Sequence, residues 1–480
     1  MKRLAFLLAC ALASCTVGPN YTPPQLPLAP TYRAPQGPPT DTGPWWRIFN
    51  DPTLDRLEAR ALRDNLTIEQ ALARVDQANA ILRQAGAAQK PQVSADGSAA
   101  RVLQSSNAGL GEFSKLGALA SDPTLGPVVK SLEKAAPDLT SRTANDFQLG
   151  INTGWDLDFA GGLRRQAEGA RANALAAQAG VDAARLSVSA ELADAYMQYR
   201  GAQAQVTDYR ALDALLKEQL TIQRARVRLG AASRSSLDGA IARGEEVAAV
   251  IPRLVGLRDA ERNRIAVLTG QSPSEDVPEL TTPAPIPQAA DFGAGLPADL
   301  LRYRPDVVVA EEQLIAANAK IGAVMSEYYP KVSLSALLGL HSAALGTLFS
   351  AGSGVVQGAA GLHWRLFDFG RVDAEVRQAR GTTREALAAY REAVLRASED
   401  VESGFVRLTA VRERATIIAR RIKALDDASA IADRAAALGG ISRDARLDAQ
   451  RAVLAAQIDG DGANQDIARA VIAARRAIGH

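Results

Sequence analysis

Apolar residues recur at intervals of three and four through two long stretches of the chain. The first holds Leu186, Leu192, Tyr196, Tyr199, Val206, Tyr209, Leu212, Leu216, Leu220 and Val227, the second Leu387, Val394, Val401, Phe405, Leu408, Ile418, Ile422 and Leu425. The spacing marks a narrow helical seam of coiled-coil type with charge on the other faces. Good helix formers fill the gaps, so each stretch predicts one uninterrupted helix, 163–229 and 371–438, roughly 100 Å long at 1.5 Å per residue. The two are one unit written twice. Trp155-Asp-Leu-Asp-Phe-Ala-Gly161 and Trp364-Arg-Leu-Phe-Asp-Phe-Gly370 open them, Leu229-Gly230 and Leu438-Gly439 close them, and the landmarks lie 209 positions apart. A Trp-to-Gly distance of 75 residues in both copies implies rods that end at the same height. On periodicity alone, a plain antiparallel coiled-coil spacer gives the same pattern.

The repeat organises the rest, a first copy over 45–285 and a second over 286–480. Trp45 to Gln89 reads as helix, with Asp51-Pro52 as its start, Lys90-Pro91 as its stop, and Leu54, Leu57, Ala61, Leu62, Leu66, Ala71, Leu72, Val75, Ala78 and Leu82 as an amphipathic face. Its counterpart is a helix over 307–327, stopped at Pro330. Return helices follow the rods at 236–268 and 444–479, the first ended by Gly270 and a Pro-rich linker, 273–287.

Period-two alternation predicts a β-hairpin ahead of each rod, 92–158 and 331–367. Val93, Ala95, Gly97 and Ala99 alternate with Ser94, Asp96 and Ser98, and Phe147, Leu149, Ile151, Trp155 and Leu157 with Asp146, Gln148, Asn152, Asp156 and Asp158. Val332, Leu334, Ala336, Leu338 and Leu340 alternate with Lys331, Ser333, Ser335 and His341, and Val356, Ala360, Leu362, Trp364 and Leu366 with Gln357, His363 and Arg365. A transmembrane barrel and a half-buried soluble sheet both read this way. Four strands cannot close a membrane barrel, and an open edge in lipid leaves backbone groups unpaired. Strands that span a membrane therefore require several chains in one barrel, and three chains supply twelve. The loop 104–144 is about thirty residues longer than its counterpart 343–354 and reads as a surface loop with a short helix near Val128 to Ala135.

At the N-terminus, Lys2 and Arg3 precede the apolar run Leu4 to Ala13, a secretory signal over 1–14 that is too short to span a bilayer. Leu12-Ala13-Ser14-Cys15 resembles a bacterial lipobox, which makes Cys15 the lipidated first residue of the mature chain. An ordinary signal with an incidental cysteine is the other reading. Thr16 after Cys15 points to the outer membrane. Cys10 lies in the removed segment, so the mature chain has no disulfide partner. Residues 15–44 carry nine prolines and predict an extended tether.

A net charge of +2 without a basic cluster or interleaved aromatics argues against nucleic acid. Three histidines, His341, His363 and His480, no phosphate-binding loop and no metal-ligand spacing give no support to an enzyme, cofactor or metal centre. No apolar run beyond the signal reaches the length of a membrane helix.

Leu296-Pro297-x-x-Leu300-Leu301-x-x-Arg304-Pro305-Asp306, then Ala310-Glu311, Ala316-Ala317-Asn318-Ala319-x-Ile321-Gly322 and Tyr329-Pro330, resembles the signature of outer-membrane efflux proteins of the TolC/OprM/NodT type. Cys15-Thr-Val-Gly-Pro-Asn-Tyr-x-x-Pro24 and Trp45-Trp46-x-x-Phe49-x-Asp51-Pro52-x-Leu54 are similar to its lipoprotein branch. The resemblance implies a mainly α fold with a small transmembrane β part. Three chains would share a twelve-strand barrel in the outer membrane, continued by a TolC-like α-helical barrel through the periplasm. It implies the exit duct of a tripartite system, passively conducting drugs or other small molecules from an inner-membrane pump of the resistance-nodulation-division (RND) kind and a periplasmic adaptor. Alternatives are the outer duct of a type I protein secretion or metal-ion export system, or a non-channel periplasmic lipoprotein.

In that architecture the turns at Gly230, Ser233, Gly439, Gly440 and Ser442 form the periplasmic tip and the adaptor contact. By resemblance, Asp448 matches an acid that rings the closed pore, with Asp444 close by and Asp238 in the first copy. Pairs with Arg443 or Arg234 would hold the tips shut. The other reading is that these acids merely cap helix starts, where carboxylates favour the N-terminal dipole, and the two roles can coexist. Val227 and Ala436 stand where the family often carries an aromatic, so a gate built on a Tyr-Arg contact has no residue here.

Overall fold

The computed structural model describes residues 16–26, 28–33, 43–103, 119–135, 143–297 and 304–479; the signal 1–14, Cys15 and His480 lie outside them. In chain order its elements are helices α1 (Pro52–Asp64) and α2 (Leu66–Ala87), strand β1 (Gln92–Leu103), helix α3 (Gly126–Ala135), strand β2 (Thr143–Leu157), helices α4 (Gly162–Arg228), α5 (Arg234–Leu268) and α6 (Pro305–Met325), strands β3 (Lys331–Ser342) and β4 (Gly354–His363), and helices α7 (Arg371–Ala437) and α8 (Arg443–Ile478). The long helices α4 and α7 have 67 residues each. Two compact units result, Met1–Tyr21 with Ile81–Ala170 and Ala317–Gly381, and Thr22–Ala80 with Arg171–Ala316 and Thr382–His480.

The first unit is built on one antiparallel sheet in the order β1-β2-β3-β4. Its register gathers the apolar sets on one face, where Ala95, Ile151, Leu338 and Val356 form a cross-strand row. The other face is polar and internally bonded. Asn152 Nδ2 donates to Asp96 at 2.6 Å, Ser94 Oγ donates to Asp96 at 2.8 Å, and His341 Nε2 lies 2.5 Å from Asp146. Nothing among the described residues covers the apolar face, with Val93 69%, Leu338 61% and Val356 81% exposed. No helix among the described residues is long and apolar enough to cross a membrane.

Both hairpins are tied at the root by the same bond. Trp155 Nε1 donates to the Gln89 carbonyl and Trp364 Nε1 to the Tyr328 carbonyl, each at 3.0 Å. The inner pairings repeat as well, since Gln92 opposite Gly154 and Lys331 opposite His363 occupy matching positions of the two copies. One expectation fails here, for Trp364 and Leu366 lie beyond β4, which stops at His363. Their counterparts Trp155 and Leu157 are held in β2 by Leu334 and Val332 of β3, whereas no strand among the described residues stands outside β4.

The segment after Cys15 packs on this unit. Val17 N donates to the Ala160 carbonyl at 3.0 Å, Asn318 Nδ2 donates to the Pro19 carbonyl at 3.0 Å, and buried Arg165 donates to the Val17 and Gly18 carbonyls and to Asn20 Oδ1. A Cβ on Gly18, at φ +94°, would stand 2.4 Å from the Gly322 Cα, so the backbones meet only because both residues are glycine.

In the second unit the core forms around the middle of α4, where Leu192, Ala193, Ala195, Tyr196 and Met197 are fully buried and pack with Trp45, Phe49, Leu54, Leu57, Ile265 and Val471. The narrow seam expected for α4 therefore widens to nearly its whole circumference between 188 and 202, because the turn 45–49, α1 and the 277–286 segment wrap it. The linker is not a loose connection, since Val277, Leu280 and Ile286 are buried and Tyr199 Oη donates to the Leu280 carbonyl. Along α7 the seam stays narrow, at Tyr390, Val394, Ala397, Val401, Phe405 and Leu408.

The helix read over 45–89 is broken in two. Asn65 ends α1, and its side chain accepts from the amides of Thr67 and Ile68 to start α2. The break turns Leu66 and Leu72 outward, at 63% and 45% exposed, against the amphipathic face assigned to them, and buries Ile68 instead. Glu58 sits in this core, and burial pushes its carboxyl well above the ordinary range.

The Arg304-Pro305-Asp306 motif is a clasp. Buried Arg304 donates two bonds to Asp306 at 2.9 and 2.6 Å, one to Asp400 at 3.0 Å and one to the Ala477 carbonyl at 3.0 Å, joining the start of α6 to α7 and the end of α8. Arg304→Met should cost about 2 kcal/mol, read as a lower thermal unfolding midpoint by circular dichroism, and Arg304→Lys should recover only part because it lacks the planar fork.

Candidate functional site

The α4–α5 and α7–α8 turns are the same structure. Each ends its helix on a left-handed glycine, Gly230 and Gly439, both at φ 72°. Gly230 N donates to the Val227 carbonyl and Ala231 N to that of Arg226; in the second turn Gly439 N donates to Ala436 and Gly440 N to Ala435. A serine then starts the return helix. Ser233 Oγ accepts from Ser236 N and Ser442 Oγ from Ala445 N, each at 3.2 Å. The capping that the acids were read to supply thus belongs to the serines. Asp444 still lies in the first turn of α8, where the helix dipole favours it, but Asp448 lies beyond that reach.

The turn at the start of α8 is latched to the end of α4. Asp444 Oδ2 accepts from Arg226 Nη1 at 2.8 Å and Gln223 Nε2 at 3.2 Å, and Asp448 Oδ1 accepts from Gln219 Nε2 at 3.0 Å. Arg443 donates to Glu218 Oε1 at 2.8 and 2.5 Å, and Arg451 lies 3.3 Å from Asp448. Of the candidates, Asp444, Arg443 and Asp448 are thus brought onto one seam, but with partners other than those expected. Neither acid pairs with Arg443 or Arg234. Asp238 and Arg234 pair only with each other, 3.4 Å apart along α5 and well exposed, and do not join the latch. Cys15 lies outside the described residues.

Sequence reasoning missed Glu218, Gln219, Gln223 and Arg226. The signal was available in part, because Gln219, Gln223 and Arg226 recur at four and three on one face of α4, matching the four-residue spacing of Asp444 and Asp448. That α8 rather than α5 faces this side was not legible.

The same seam continues along the pair. Arg469 Nε donates to Asp194 Oδ1 at 2.6 Å, and between the two ends the carboxyls of Asp208 and Asp461 meet. Burial, then the hydrogen bond and charge of Asp208, push the Asp461 carboxyl up to about 6. No group of three or more His, Cys, Asp or Glu suited to a metal ion occurs among the described residues.

Residues 57–271 and 296–480, most of the chain, match the family described as outer membrane efflux protein. The chain belongs to that family. Nodulation protein T of Rhizobium leguminosarum bv. viciae is 29% identical over 482 residues, spanning 97% of this chain and 90% of its own. Cation efflux system protein CusC of Escherichia coli O6:H1 is 25% identical over 468 residues, with 95% and 93% covered. The solved outer-membrane channel OprN matches with a TM-score of 0.82 at 28% identity, over 97% of this chain and 99% of that one. This outer membrane efflux protein therefore has the TolC-like channel fold and resides in the outer membrane.

The Asp208–Asp461 pair makes stability pH-dependent with a definite sign. The folded chain binds a proton that the unfolded chain releases near the ordinary aspartate value of 3.8, so stability falls as pH rises from there through about 6. Asp461→Asn should raise the thermal midpoint at pH 7.5 and reduce the difference between pH 5 and pH 7.5; an unchanged pH profile counts against the shared proton.

Proposed function

We propose that three copies of this chain close one twelve-strand barrel and form the exit duct of a tripartite efflux system. The duct receives small molecules, drugs among them, from a periplasmic adaptor and an inner-membrane RND pump, and conducts them passively. The observation that carries the reading is the sheet itself, with two free edges and a lipid-facing side. Unpaired edge amides in hydrocarbon cost several kcal/mol each, roughly, and a ring of copies removes every edge.

The internal repeat supplies the register of the missing pairing. Within the chain β2 pairs with β3, placing Leu157 opposite Val332. Residues 157 and 366 are equivalent at the 209 offset, and Pro91-Gln-Val-Ser94 matches Pro330-Lys-Val-Ser333 at an offset of 239. Leu366 of one copy then lies opposite Val93 of the next, and Val356 opposite Leu103. All four are more than half exposed in the single chain. The pairing extends β4 through Trp364 to Leu366, where it ends early for lack of a partner.

Cys15 carries the lipid anchor in this reading. Its neighbour Thr16 packs against Gly161 at the root of the sheet, within reach of the bilayer surface. The latch of Arg226, Asp444, Glu218 and Arg443 holds the periplasmic end shut until an adaptor engages the Gly230 and Gly439 turns. The CusC likeness favours metal-ion export as a second reading. Against it, Asp444 and Asp448 are already engaged by Arg226, Gln223, Gln219 and Arg451.

Oxidation of the double variant Val93→Cys with Leu366→Cys should yield covalently linked trimers, whereas Ser94→Cys with Leu366→Cys, on opposite faces, should not. Monomers from the first pair would reject the closure. In planar bilayers the purified protein should conduct, and Asp444→Ala should raise single-channel conductance ~2-fold or more; unchanged conductance would remove the latch as a gate.

A further inference from the structure

At the root of the sheet, inside the first unit, lies a cavity of about 380 Å³ lined by Lys320, Lys331, Arg365 and Arg371 with Glu327 and Glu375 as counter-charges. Glu327 is shared. Lys331 Nζ stands 2.5 Å from its Oε1 and Arg365 Nη2 3.6 Å from its Oε2, while Arg371 pairs with Glu375 at 2.9 Å. Lys320 is exposed and has no ion-pair partner among the described residues. Asp368 beside them also acts on Arg365 and Arg371, so four cations against three carboxylates leave an excess of one positive charge per chain, open to water.

Strand geometry fixes the side on which this excess lies. Lys331 shares a face with Ser333, Asp156 and Asn152, the polar face, while Trp155, Leu334 and Leu362 occupy the opposite, lipid-facing one. The cluster therefore borders the aqueous interior rather than the bilayer. It is also absent from the other copy of the repeat, where Ile81, Gln92, Asp156 and Gly162 hold the positions equivalent to Lys320, Lys331, Arg365 and Arg371. A charge needed only to root a hairpin would be expected in both copies.

We propose that Lys320, Lys331, Arg365 and Arg371 form an anion-selective girdle of the duct, a binding station for solutes bearing carboxylate or phosphate groups as they pass from the helices into the sheet. The inference rests on the trimeric duct, in which three cationic patches and three near-neutral ones alternate round the wall. Rings of like charge in a low-dielectric wall concentrate the opposite ion.

Citrate added on the sheet side of a planar bilayer is the probe. It should block wild-type current, and the triple variant Lys320→Gln, Lys331→Gln, Arg365→Gln should raise the half-blocking concentration about tenfold, with Lys320→Gln alone raising it ~2-fold. Lys130→Gln, on the distant α3, should change nothing. Normal conductance with unaltered block in the triple variant overturns the girdle and leaves the duct standing, as does wild-type current indifferent to citrate. If the triple variant inserts poorly, unaltered block in Lys320→Gln, whose exposed side chain has no ion pair among the described residues, overturns it equally. A wild-type protein that inserts and never conducts overturns the duct and the girdle together.

Discussion

In hydrocarbon a backbone amide has no water to bond, and this constraint governs the architecture more than any single side chain. A helix meets it alone, and a sheet meets it only by closing on itself. This chain offers four strands with β1 and β4 at the edges, too few to curl into a barrel. In the proposed ring the demand passes to neighbouring copies, and the internal repeat would let one pairing geometry serve both the β2–β3 junction within a chain and a β4–β1 junction between chains. The two helices of 67 residues suit the same proposed ring, in which rods rooted at equivalent strands need equal length.

Away from the membrane the packing problem is different. A helix wall around water cannot bury much on its inner side, so long polar seams must hold helices that share only a narrow apolar stripe. The α4–α8 seam does this with Arg226–Asp444, Gln219–Asp448 and Arg469–Asp194, each partly exposed and individually worth little. The proton-sharing Asp208–Asp461 pair interrupts that ladder with a contact that becomes repulsive when both acids ionise. Weak and mixed contacts of this kind suit an element required to part and re-form. The stronger fixing is kept higher, where Arg200 is fully buried against Tyr196, Tyr199 and the Thr282 carbonyl, and Tyr196 Oη donates to Asp51 at the start of α1.

Period and landmark spacing made the rods and strands legible, because both depend on one local variable repeated many times. The alternation at Ile151 and Leu338 needed no partner to be read. What depended on a partner was misread. Trp364 and Leu366 alternate as strand, yet pairing decides whether they are one. The face through Leu66 and Leu72 keeps helical phase, yet Asn65 offers the backbone its own hydrogen bonds and breaks the rod there. The widening of the α4 seam between 188 and 202 reflects wrapping by residues 277–286, more than seventy positions away, which no local window senses. The candidate site shows the same division. Glycines and serines of the turns stood out because their backbone roles are local, whereas the partners of Asp444 and Asp448 depended on which helix lies beside α8.

In the proposed duct few fixed chemical groups line the path, and relatives named for nodulation and for cation efflux are similar in sequence along nearly the whole chain. Discrimination within such a wall is left to charge at particular levels. Acids on the polar sheet face at Asp96 and Asp146 and cations at its root at Lys331 and Arg365 place opposite fields at different levels of the same face. In the proposed duct a solute crossing from the helices into the sheet would meet the positive level first, and anions would gain there what they lose at the next. Because the proposed cationic level is confined to one copy of the repeat, it is set by side chains and not by the backbone, and it can change without altering the strand register.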